Sequence, residues 1–78
     1  MPLFHFDTVD TGKLFPDTDG VELPDSEAAR KEALSMLGAI ARDELPDGDY
    51  REFVVHVRDG QPTPCLTASL TLRVERRA

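Results

Sequence analysis

The chain has 78 residues, enough for one domain spanning residues 1–78 and too few for a second core. Fifteen acidic against nine basic side chains leave a net charge of -6, a field that opposes binding to duplex DNA. No apolar run approaches the roughly eighteen residues of a membrane span, and the Met1-Pro2-Leu3-Phe4-His5 start lacks the basic lead of a signal peptide. One cysteine makes no internal disulfide, which points to a reducing cytoplasm.

Energetically the chain is marginal. About 4,700 Å² of apolar burial at ~25 cal/mol/Å² barely offsets an ordering cost of about 1.5 kcal/mol per residue. With no disulfide and no compact metal motif, self-association is the natural reserve of stability, so a homodimer is expected.

Leu3 to Thr8 alternates large apolar with polar residues, a strand with Phe4 and Phe6 on its buried face. Asp10-Thr11-Gly12 supplies a turn. Lys13-Leu14-Phe15 returns as a short strand, and Pro16, which lacks an N–H donor, places it at a sheet edge. Asp17-Thr18-Asp19-Gly20 forms a second turn, after which Val21-Glu22-Leu23 runs extended to Pro24. A helix begins at Pro24-Asp25-Ser26-Glu27, with Asp25 as cap and Glu27 near the positive dipole end. It runs to about Glu44 and is ended by Pro46. Ala29, Ala33, Met36, Leu37, Ile40 and Ala41 share one side of it, and Gly38 falls off that stripe.

Asp47-Gly48-Asp49 links back to the sheet. In the next strand Phe53, Val55 and Val57 share one face; Glu52, His56 and Arg58 share the other. Asp59-Gly60 signals a hairpin, lengthened by Gln61-Pro62-Thr63-Pro64. In the last strand Leu66, Ala68, Leu70, Leu72 and Val74 point one way, and Thr67, Ser69, Thr71, Arg73 and Glu75 the other. The order β-β-α-β-β defines an α+β fold, one helix packed on one face of a small antiparallel sheet whose other face is polar.

Three stretches carry a resemblance: Met1-Pro2-Leu3-Phe4-His5-Phe6, Asp17-Thr18-Asp19-Gly20-Val21-Glu22-Leu23-Pro24-Asp25, and Ala28-Ala29-Arg30-Lys31-Glu32-Ala33-Leu34. They are similar to a family of short bacterial proteins known only as a domain of unknown function. Such proteins open with Met-Pro, an aromatic strand and a histidine, then show an acidic-Gly turn before a Glu-Leu-Pro-Asp helix start. The second half is matched only through the Asp59-Gly60 hairpin and its apolar strand, and the two prolines after Gly60 depart from the pattern. The resemblance implies no activity, cofactor or catalytic residue.

The residues themselves suggest one chemical cluster. His5, His56 and Cys65 fall on the polar face by strand alternation. Were their strands neighbours, the two histidines would come within metal-binding reach, with Asp7 or Cys65 as a third ligand. The ordinary reading is two surface histidines, and no metal or other cofactor is expected. Asp17 to Glu22 lacks the ligand set of a calcium loop, having Ala28 at the twelfth position, and reads as a solvated turn. Asp10-Thr11-Gly12-Lys13 has no glycine-rich lead and is no phosphate loop. Cys65 has no identifiable base and is read as a small half-buried hydrophobe, so no catalytic residue and no enzyme are expected.

Charge is polarised: six acids and one lysine lie between Asp7 and Asp25, while Arg73 to Arg77 holds three arginines and one glutamate. The expected role is protein–protein contact, as a homodimer or with a partner carrying a basic surface, and with neither nucleic acid nor membrane. Leu3 and Val54 on the polar face and an unprotected strand edge are the candidate contacts. The alternatives are an acidic antitoxin-like regulator that neutralises a basic partner, and a small metal-binding protein.

Overall fold

A computed structural model describes residues 1–44 and 48–77. Its elements are β1 (Leu3–Asp10), β2 (Lys13–Phe15), β3 (Val21–Glu22), α1 (Ser26–Glu44), β4 (Tyr50–Arg58) and β5 (Leu66–Arg73). All pairings are antiparallel, in the spatial order β2-β1-β4-β5, with β3 also pairing β1. The α+β architecture is the expected one, with one addition. Val21–Glu22, read as merely extended, pairs with Leu3 and Phe4 and becomes a fifth strand.

The helix forms where its chemistry dictates. The Asp25 carboxylate accepts the Ala28 N–H at 2.9 Å, satisfying one of the first-turn donors. Ala29, Ala33 and Leu37, at helical spacing, are the buried residues of its inner face. The stop assigned to Pro46, and the first residue of the Asp47-Gly48-Asp49 link, lie outside the described residues.

Those three helix residues meet Phe4 and Phe6 of β1 and Phe53, Val55 and Val57 of β4, the buried hydrophobic core among the described residues. Register puts Phe6 opposite Val57 and Thr8 opposite Val55, so every second residue of β1 faces α1. Leu23, Met36, Ile40, Ala41, Leu66 and Ala68 pack around this centre, partly buried. The last strand departs from expectation here. Leu70 lies on the helix-facing side of β5, yet it is 41% exposed, and Val74, just past the strand's end, is 43% exposed. A helix about 10 Å across covers roughly two strands spaced ~4.8 Å apart. α1 packs over β4 and β5, but β5 is the edge strand, so its helix-facing side chains have no neighbour on their outer side among the described residues and stay partly open.

The first hairpin turns at Thr11 and Gly12, whose φ values of 45° and 89° are the positive pair that a two-residue turn between twisted strands requires. Thr11 holds this conformation by two bonds to β4. Its N–H donates to the Glu52 carbonyl at 2.8 Å, and its hydroxyl accepts the Glu52 N–H at 3.3 Å.

Candidate functional site

Strand alternation also decides where each backbone bond points. Thr11 N–H reaches the Glu52 carbonyl, and Val74 N–H reaches the Asp49 carbonyl at 2.7 Å. Stepping by two along the registers, odd residues of β1 bond to β4 and even ones face the outer edge. On β5 the even residues bond to β4, while Thr67, Ser69, Thr71 and Arg73 turn their N–H and C=O groups away from the sheet.

The outer edge of β1 is paired at both ends. Phe4 pairs with Val21 of β3, and Thr8 pairs with Phe15 of β2. Between them the outward N–H of Phe6 donates to the Asp17 carboxylate at 3.0 Å. A side chain thus fills the gap where Pro16 breaks the edge strand. The same carboxylate accepts the N–H groups of Asp19 and Gly20, each at 3.1 Å. These bonds, the one from Phe6 foremost, hold the Asp17 carboxyl below the ordinary carboxylate range. The calcium-like stretch is therefore a turn whose acceptor atoms serve its own backbone.

A second layer locks this loop. Asp7 accepts the Asp17 N–H at 2.9 Å and receives Arg58 through two bonds, Nε at 2.6 Å and Nη2 at 3.2 Å. Arg58 Nη2 also donates to the Asp17 carbonyl at 3.3 Å. The Arg58 bond is the main cause holding the Asp7 carboxyl low. Gly20 closes the loop with φ 78°, and a Cβ there would lie 3.0 Å from both His5 Nε2 and Leu3 Cδ1. Only glycine suits that backbone and that space.

On the polar face β1 and β4 are indeed neighbours, with Asp7 opposite His56 and His5 opposite Arg58. The histidines therefore sit on adjacent strands, yet the sequence-derived cluster does not assemble. Among the described residues no group of three or more His, Cys, Asp and Glu side chains is placed to hold a metal ion. His56 Nδ1 lies 3.0 Å from the Thr67 hydroxyl across β5. Asp7 is committed to Arg58. Cys65 is exposed rather than half-buried, because the long loop after Gly60 ends in it before β5 begins. Local desolvation and the nearby Asp59 push its thiol above the ordinary value, which keeps it protonated and weakly nucleophilic at neutral pH. Val54, expected on the surface, is only partly exposed between Val9 and Ser69; Leu3 is exposed.

Two features escaped sequence reasoning. Arg51 lies on the helix-facing side, opposite Leu72, where an apolar residue would be expected. It is bonded to Asp10 at 2.7 Å, lies 3.7 Å from Glu44 and stacks 5.1 Å over the Phe53 ring, closing the end of the core. The other feature is a groove of about 470 Å³ between α1 and the β2–β3 edge, walled by Phe6, Phe15, Val21 and Met36 and rimmed by Asp17 and Glu32. No local sequence pattern marks either, since both depend on strand order.

A single helix thus packs on a five-stranded antiparallel sheet whose β2–β3 edge loop is held by Asp7, Asp17 and Arg58. The chain belongs to a family described as a domain of unknown function (DUF6894), whose model matches residues 3–71. No curated protein and no solved structure matches it. No helix among the described residues is long and apolar enough to cross a membrane.

Proposed function

We propose that this chain is a non-enzymatic module that acts through protein–protein contact, and that its first partner is a second copy of itself. The observation that carries this reading is the outer edge of β5. Thr67, Ser69, Thr71 and Arg73 aim backbone donors and acceptors away from the sheet, and residues 66–72 hold no charge and no proline. Such an edge invites another strand. Leu34 and Leu70, 46% and 41% exposed, add apolar surface on the same side.

The surface area supports the same reading. The chain exposes 5456 Å², more than the roughly 4,700 Å² of a compact monomer of this mass. Its core rests on eight buried side chains among the described residues. An association that covers β5 adds the stability such a core lacks. A lone cysteine, which makes no internal disulfide, suits a reducing compartment, so the cytoplasm is part of this reading.

Light scattering of purified protein across a concentration series tests the proposal. The expected result is twice the chain mass at micromolar concentration, giving way to the monomer on dilution. A strict monomer at several hundred micromolar overturns it.

A further inference from the structure

We propose that the two copies join as one continuous sheet, β5 antiparallel to its symmetry mate with Leu70 on the two-fold axis, and that the α1 helices pack side by side across the junction. This rests on the self-association reading above and specifies its geometry.

The register follows from the residues. A two-fold axis at Leu70 sets Leu70 against its copy, Ala68 against Leu72, and Leu66 against Val74 on the helix side. On the polar side it sets Ser69 against Thr71 and Thr67 against Arg73. Every apolar residue meets an apolar one, and no like charges face each other. The outward groups of Thr67, Ser69, Thr71 and Arg73 then bond in reciprocal pairs, and Leu70 sits at a non-hydrogen-bonded position with its Cα about 4.5 Å from its copy. Moving the axis by one residue to Ser69 would set Arg73 against Cys65 and leave the exposed Val74 facing Pro64.

The helices arrive at packing distance without adjustment. Because α1 lies over the β4–β5 seam, its image stands about two strand spacings away, ~10 Å. Packed helices are separated by about 8–10 Å. Met36 and Glu32 line the groove toward β2 and β3, so the opposite flank of α1, which carries Leu34, Gly38 and Ala41, faces the β5 side. Gly38, where an added Cβ would meet nothing within 4 Å, gains a purpose. With Ala41 it leaves room for the second helix backbone, while Leu34 supplies the apolar contact.

Two measurements test this. In a Cys65→Ser background, the Leu70→Cys variant treated with diamide should form a disulfide-linked dimer, since a pair on the axis satisfies disulfide spacing. Thr67→Cys should not link to itself but should link to Arg73→Cys when the two variants are mixed. Separately, Gly38→Leu should keep or raise the melting temperature of the monomer and weaken dimerisation at least tenfold. A dimer by light scattering that shows neither the Leu70 link nor sensitivity at Gly38 overturns this geometry and leaves self-association standing. A monomer overturns both.

Discussion

The two edges of this sheet are built on opposite plans. At the β2–β3 edge the strand is cut into pieces of three and two residues. The break holds Pro16, and the one N–H it would orphan, that of Phe6, is taken by Asp17. At the β5 edge eight residues run without interruption, and their outward backbone groups meet no strand among the described residues. Three side chains (Asp7, Asp17 and Arg58) close one border, whereas among the described residues no side chain bonds the outward backbone groups of the other. An edge is costly to leave open because it templates association with any extended segment. That asymmetry, more than any single exposed leucine, is what singles out β5.

Proline has the largest effect on β5, because the damage it does depends on which way an N–H points. Leu70→Pro removes a bond to β4 and should cost about 3 kcal/mol or more, enough to abolish a cooperative melt in so small a domain. Ser69→Pro, one residue away, removes only an outward N–H. It should leave a folded monomer by circular dichroism and no dimer by light scattering. Equal damage from both substitutions would mean that the β5 edge does not face outward as described.

A smaller effect is expected at the closed edge. Asp17→Ala leaves the Phe6, Asp19 and Gly20 N–H groups without their acceptor, and urea melts should show a loss of about 2 kcal/mol. The same site gives an acid signature. Asp7, Asp10 and Asp17 have folded-state pKa values below the ordinary carboxylate value, so their contribution is fully present above that value and is lost as pH falls through the lowered ones. Stability should therefore drop below about pH 4, and Asp17→Ala should flatten that decline. Hydrogen exchange at low pH should open the amides of Phe6 and Gly20 before those of β4. An acid limb unchanged by Asp17→Ala would remove the carboxylate from its assigned role.

What the sequence revealed divides along the same line. Period-two alternation in Phe53-Val55-Val57 and in Leu66 to Leu72 disclosed faces, because side-chain direction depends only on position along one strand. Asp25 disclosed a helix start for the same local reason. The bond from Phe6 to Asp17 spans eleven residues, and the pairs Asp7–Arg58 and Asp10–Arg51 span fifty-one and forty-one. Those exist only once β1 lies between β2 and β4, a fact no local pattern encodes. The exposure of Leu70 is non-local in the same way. Its direction was legible, but whether anything covers it depends on where α1 comes to rest.

The smallest effect is expected at Arg76. Beyond β5 it makes a two-pronged pair with Asp49, at 2.6 and 2.8 Å, with both side chains largely in water. Asp7–Arg58, by contrast, is partly buried and shares its carboxylate with the Asp17 N–H. Two exposed partners gain little because water already solvates each, so Arg76→Ala should cost no more than about 0.5 kcal/mol and the loss should vanish in 1 M salt. If it instead costs as much as Asp17→Ala, the β5 border has a side-chain clamp of its own. The case for a partner strand would then lose the contrast on which it depends.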